Sequence, residues 1–258
     1  MLERSDCLPR TQQAVPYMTS TWSRLFLLLA LFASLASCQG PTPQLTEVDS
    51  APPRPGEDFV FVFLEVGEAA GELTPEQVRE ASLGHRANIK RLGQDRILLL
   101  AGPFGEPRLE PAHRGIFIFD VESMEEAREL TSTDPAVQVG AFSMTASPWR
   151  SPSDLREVHE LELARQESGE AFVGRAYVMG IGFPADAAQQ ALASLNEERK
   201  IPFMGEFGGE RAGEVLFVLI TDSVNEARAW LTDAPGGVDV DWNLSSWYAT
   251  DNLMRMLD

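Results

Sequence analysis

The stretch Arg96-Ile97-Leu98-Leu99-Leu100-Ala101-Gly102-Pro103-Phe104-Gly105 reads as an apolar strand running straight into a Gly-Pro turn. Further along, a variant returns as Lys200-Ile201-Pro202-Phe203-Met204-Gly205-Glu206-Phe207-Gly208. The segments after the two copies match as well. Gly115–Asp120 (GIFIFD) answers to Glu214–Ile220 (EVLFVLI), and Ser123–Arg128 (SMEEAR) answers to Ser223–Arg228 (SVNEAR). One fold is therefore written twice.

The length of 258 residues suits two units of about 90–110 residues each. An apolar content of 44%, with 14 Phe and 5 Trp, is enough for two cores. The net charge of −18 leaves no basic footprint, which excludes nucleic acid as a partner. The acidity itself reads as solubility, and it disfavours acidic substrates at long range. The two cysteines, Cys7 and Cys38, both precede the folded part, and His85, His113 and His159 show no HxH or HExxH spacing. No metal centre and no cofactor follow from this pattern.

Residues 24–38 hold one arginine, a short apolar run and then Leu35-Ala36-Ser37-Cys38. The run is too short to span a bilayer, for which about 20 residues are needed, and it has the layout of a secretory signal. Leu35–Cys38 resembles the lipobox of bacterial lipoproteins, which implies a lipidated Cys38 as the first mature residue. An ordinary cleaved signal or an uncleaved anchor is the alternative. Residues 1–37 then form the signal, with Met18 as an alternative start. Their removal takes Arg4, Arg10, Arg24, Glu3 and Asp6 and leaves a net charge of −19. Residues 38–57 form the lipidated cysteine and a tether with five prolines. A residue 39 that is not aspartate leans towards the outer membrane, facing the periplasm, over the inner membrane.

In residues 58–150, Phe59–Leu64 is a continuous apolar strand, and Thr74-Pro75-Glu76-Gln77 opens a helix with a capping box. Val78, Ala81, His85, Ile89 and Leu92 fall on one helical face, which Gly93 closes. A strand around Leu99, a turn-rich connection, the strand Ile116–Phe119 and a helix capped by Ser123 follow. Asp134-Pro135 then forces a turn, and Val137–Ala146 returns as the last strand. The order is β-α-β-β-α-β, the ferredoxin-like unit.

A helix with a mid-helical histidine, a strand ending Ala-Gly-Pro, a second helix ending in Asp-Pro and a last strand ending near Pro-Trp together resemble the YCII-related family. That resemblance implies a dimeric α+β barrel in which two units pack sheet to sheet around a cleft. It also implies an acid–base pair, His85 with Asp134. A carboxylate beside an imidazole fixes its tautomer and favours its charged form, which suits proton transfer. Spacing alone equally allows a structural core histidine and an ordinary Asp-Pro turn. No strong nucleophile and no Gly-x-Ser-x-Gly accompany the pair. His113 reads as solvent-exposed, and His159 as part of a surface helix in the linker, residues 151–172.

The second copy, residues 173–258, opens with the strand Arg175–Gly182 and continues with a helix after Pro184. A shift of 103 residues lays Gly102 on Gly205 and His85 on Ala188; a shift of 100 lays Asp134 on Ala234. The fold signals persist and the pair is gone. Trp242 takes the place of Phe142. The fold expected is α+β, two tandem ferredoxin-like repeats packed as an intramolecular dimeric α+β barrel, so a monomer with pseudo-dimeric repeats. Two independent beads on a linker is the competing arrangement.

Two functions stand open: an envelope lipoprotein that uses His85 and Asp134 as acid–base catalysts on an unknown small organic molecule, or a non-catalytic ligand- or protein-binding module. Phe104, Phe142, Trp149 and Trp242 either line the cleft or fill the core. If the pair is functional, His85→Ala and Asp134→Ala leave folding nearly intact; a loss of several kcal/mol in either marks a structural network instead.

Overall fold

The computed structural model describes residues 58–257; the signal segment, Cys38 and the tether lie outside the described residues. The described chain is α+β. Its first half runs β1 (Asp58–Val66), α1 (Pro75–Gln94), β2 (Leu98–Pro103), β3 (His113–Phe119), α2 (Met124–Ser132), a one-turn α3 (Pro135–Gln138) and β4 (Phe142–Arg150). After α4 (Leu155–Glu167) come β5 (Gly174–Phe183), α5 (Ala185–Glu197), β6 (Met204–Phe207), β7 (Val215–Leu219), α6 (Val224–Asp233) and β8 (Asp241–Thr250). Among the described residues no helix is long and apolar enough to cross a membrane.

The eight strands of the described residues join one antiparallel sheet in the order β2-β3-β1-β4-β6-β7-β5-β8. The same order is thus used in each half. Register repeats as well: Val62 faces Phe117 as Gly180 faces Phe217, and Phe59 faces Trp149 as Tyr177 faces Trp247. The sheet curls until its ends meet. At one seam Trp149 pairs with Phe207 and Arg150 with Glu206, and at the other Phe104 bridges to Trp247. The Gly208 N–H donates to Pro148 O at 2.8 Å, and the Gly105 N–H donates to Ser246 O at 2.8 Å. Pairing both edges leaves little unpaired backbone for another chain to add to.

Gly102 and Gly205 sit at these seams for a steric reason. A Cβ on Gly102 would stand 2.3 Å from Tyr248 O and 2.7 Å from Trp247 Nε1; on Gly205 it would stand 2.3 Å from Arg150 O and 2.6 Å from Trp149 Cε2. Both indole N–H groups are buried without a hydrogen-bond partner. The twofold character therefore reaches down to single atoms.

Alternation along β1 explains its continuous apolar run, since both faces of the strand are covered. Phe59, Phe61 and Phe63 point into the curled sheet, while Val60, Val62 and Leu64 pack outward with Leu92, Phe117 and Ala127. Inside, Phe61 meets Phe207 edge-on at 5.3 Å, and Phe203 lies between Trp149 and Trp247 at 6.0 and 6.2 Å. The interior is an aromatic core drawn from both halves, with Phe104 and Trp149 part of it. Outside the second half, Ala188, Leu192, Leu195 and Leu231 cover Val178 and Phe217.

The helix starts follow their capping signals. Thr74 Oγ1 accepts from the Gln77 N–H, and Gln77 Oε1 accepts in return from the Thr74 N–H. Ser123 and Ser223 accept from the N–H of Glu126 and Glu226. The ends differ from expectation. Gly93 stays helical, and the left-handed residue that turns the chain is Arg96 (φ 59°), with Arg199 (φ 57°) as its counterpart. Val137 and Gln138 lie in α3, because Asp134 caps a helical turn that Pro135 begins, so β4 starts only at Phe142 and runs on to Arg150.

Candidate functional site

His85 lies mid-way along α1, and Asp134 closes the gap between α2 and α3. Gly84 lets the two elements meet: a Cβ there would stand 2.8 Å from the Pro135 ring. Across that contact the His85 Nδ1–H donates to Asp134 Oδ2 at 2.7 Å. The other carboxylate oxygen, Oδ1, accepts from the Ala136 N–H at 2.9 Å and so caps α3.

One turn beyond His85, Asn88 donates to Asp134 Oδ2 at 3.4 Å, and Arg91 donates to Asn88 Oδ1 at 2.8 Å. Arg91 thereby fixes which way the Asn88 amide points. The Asp134 side chain is 0% exposed and that of His85 17%. Burial works to raise the Asp134 pKa, but the His85 hydrogen bond and charge, the Ala136 N–H and Asn88 outweigh it and hold the carboxyl below its ordinary value. An ionised Asp134 needs the proton on Nδ1. That leaves Nε2 of the neutral ring as the basic nitrogen, and Nε2 has no hydrogen-bond partner among the described residues.

The imidazole lies on the Phe117 ring at 5.7 Å and 19° and meets Phe142 edge-on at 5.2 Å. Phe142 and Ala136 also form the wall of a cleft of about 240 Å³, together with Val66, Val78, Ala81, Ser82 and Arg114. His85 and Asp134 are not on that wall. They stand one residue behind it, through Phe142, Ala136 and the turn of α1 that carries Ala81 and Ser82.

Neither remaining histidine sits where the sequence suggested. His113 is 6% exposed and stacks on Phe63 at 4.3 Å and 11°. Its polar loop position hid the aromatic neighbour that β1 brings across the sheet. Burial pushes its pKa down, against Glu65 and Glu110 and with Arg211. His159 is also buried, with Nε2 2.9 Å from Gly93 O and Nδ1 3.3 Å from Leu99 O, so α4 packs on the first half. Asn88 is a partner that sequence reasoning missed, although its spacing of three from His85 was the available signal.

In the second half Ala188 and Ala234 are both buried. Trp242 faces Gly182 as Met144 faces Leu64, so in register it replaces Met144 and not Phe142. The shift of two residues keeps it on the same face of the strand. Its indole meets Phe217 edge-on at 5.4 Å and donates from Nε1 to Gly237 O at 2.7 Å. A Cβ on Gly182 would touch both that indole and the Ala188 methyl, so Trp242 lies close to Ala188. Among the described residues no group of three or more metal-ligating side chains occurs.

No family model matches the chain. The uncharacterized protein YjpA of Bacillus subtilis is 31% identical over 72 residues, which cover 28% of this chain and 79% of that protein. A chlorite dismutase from Candidatus Nitrospira defluvii, solved in a mutant form, superposes with a TM-score of 0.49 at 10% identity, over 79% of this chain and 96% of the other. A second mutant form of it gives 0.48 at 10%, over 78% and 94%. The likeness to these two concerns the path of the chain.

Proposed function

The chain belongs to the same family as YjpA through that 72-residue stretch, and we propose that it is a YCII-related protein whose first repeat carries an acid–base site for a small organic molecule. In this reading residues 58–150 and 173–258 are tandem ferredoxin-like repeats, joined by residues 151–172, that fold together as an intramolecular dimeric α+β barrel. The second repeat supplies the packing partner, so a monomer suffices. Residues 1–37 direct export and Cys38 carries the lipid, which tethers the domain at the cell envelope, on the periplasmic side of the outer membrane.

The observation that carries the reading is the 2.7 Å bond from His85 Nδ1–H to a fully buried Asp134. A buried carboxylate held ionised orients the ring and keeps Nε2 as the nitrogen that exchanges a proton with a substrate. Isomerisation, elimination and hydrolysis all need such a group. The test is a turnover screen of small organic molecules by NMR, with wild type beside His85→Gln. A general acid or base contributes about 10²–10⁴-fold, so a loss of that size with the fold retained supports the reading. Turnover indifferent to His85 defeats it.

One observation favours a non-catalytic binding module as the second reading: His85 and Asp134 stand behind the cleft and not on its wall. Ligand binding without turnover is its outcome in the same screen.

A further inference from the structure

The cleft beside the pair has an uneven wall. Most of it is apolar, and two of its side chains, Val66 and Val78, are 38% and 44% exposed although they belong to β1 and to the apolar face of α1. An apolar helical face that stops short of the core at Val78 leaves hydrocarbon facing water, which a ligand's apolar body would cover. Ser82 adds little polarity, because its hydroxyl donates to Val78 O. The exception is Arg114.

Arg114 follows His113 at the start of β3 and reaches the same cleft. One of its terminal nitrogens donates to Pro111 O at 2.8 Å and to His113 O at 2.9 Å, which fixes the guanidinium against the backbone. No carboxylate lies within ion-pairing distance of it among the described residues, in a chain where Asp and Glu outnumber Lys and Arg by 39 to 21. Carbonyl oxygens satisfy one nitrogen only, so N–H groups remain for an acceptor arriving from the cleft. A guanidinium with two free N–H directions matches a carboxylate in a bidentate fork.

We propose that the cleft takes a small carboxylic acid, its anion on Arg114 and its apolar body against Val66, Val78 and Phe142. This names a substrate class for the acid–base site proposed above and rests on it only for the chemistry, not for the binding. It also reverses the expectation drawn from net charge: the acidic surface repels anions at a distance, while at contact one unpaired guanidinium decides.

The test uses the full chain and two probes of nearly the same shape, phenylacetate and phenylacetamide, with binding read from the methyl signals of Val66 and Val78. The proposal expects phenylacetate to shift both and to bind at least tenfold more tightly than the amide. Arg114→Gln should erase that preference and Arg114→Lys should keep part of it. The comparison of acid with amide reads binding alone and needs no turnover, so a failure of the catalytic reading is distinguishable from a failure of this one. Equal binding of acid and amide by wild type, methyl signals that do not move, or a preference that survives in Arg114→Gln each overturn the proposal. Should Arg114→Gln not fold, wild type and Arg114→Lys decide it.

Discussion

Replacing Gly102 or Gly205 by alanine tests the closure of the curled sheet. Each added Cβ would lie 2.3 Å from a carbonyl oxygen of the opposing strand, Tyr248 in one case and Arg150 in the other. Ordinary contact needs about a further ångström. Neither carbonyl can rotate away without its strand, and the indoles of Trp247 and Trp149 block the other direction. Overpacking costs about 1–3 kcal/mol. Loosening a neighbouring seam bond, Gly105 N–H to Ser246 O or Gly208 N–H to Pro148 O, adds about 0.5–1.5 kcal/mol. Each variant should therefore lose about 2–4 kcal/mol in urea unfolding, and at roughly 2–4 °C per kcal/mol for a domain of this size its Tm should fall by about 5–15 °C. Gly71→Ala is the control, since nothing lies within 4 Å of a Cβ there, and it should change stability by less than about 1 kcal/mol. If both seam variants behave like Gly71→Ala, the two halves do not close on each other and the separate-bead arrangement is right.

Asp134→Ala removes the acceptor of three donors at a position with no exposure. Losing a cap at about 1 kcal/mol and a charged hydrogen bond at about 1.5–3 kcal/mol makes a loss of about 2–4 kcal/mol the expected result by urea titration. A loss of that size marks Asp134 as part of a structural network as well, because it also caps α3. His85→Gln, which breaks one bond at a partly exposed ring, should cost less. The Asp134 carboxyl has a folded pKa below its unfolded one, so its contribution is complete above the usual carboxylate range, about 3.9, and is lost as pH falls through the lower folded value. Asp134→Asn should lack that acid limb; an unchanged limb would count against the buried ionised pair. His113 also has a lowered folded pKa, so stability should begin to fall as pH drops below about 6.5, where the unfolded imidazole takes a proton that the buried one resists. His113→Phe keeps the stack on Phe63 and should remove this step; its persistence would place the titration elsewhere.

Much of the fold was legible because its local signals recur along the chain. Gly102 and Gly205 mark the two seams, although Gly102-Pro103 continues β2 in register with β3 and does not turn, and the capping serines mark equivalent helices. Local pattern could not supply anything decided across the sheet. His113 looks polar in sequence, and only the partner strand brings Phe63 to its face. Counting along the chain matches Trp242 to Phe142, while β-register sets it opposite Gly182. The interior where the family resemblance implied a cleft holds Phe61, Phe203, Phe207 and two indoles. At the site, the pairing of His85 with Asp134 was within reach of motif reasoning. Asn88 had only its spacing of three from His85 as a signal, and that is weak because an asparagine on a helix normally faces water and its burial depends on where α3 begins.

The most direct test of the account is the tautomer of His85, read from the nitrogen chemical shifts of its neutral imidazole in wild type and in Asp134→Ala. The account predicts a proton on Nδ1 and a bare Nε2 in wild type, with the Nε2–H form returning when the carboxylate is removed. A wild-type ring that carries its proton on Nε2 would contradict the account, because Asp134 would then not be orienting the base.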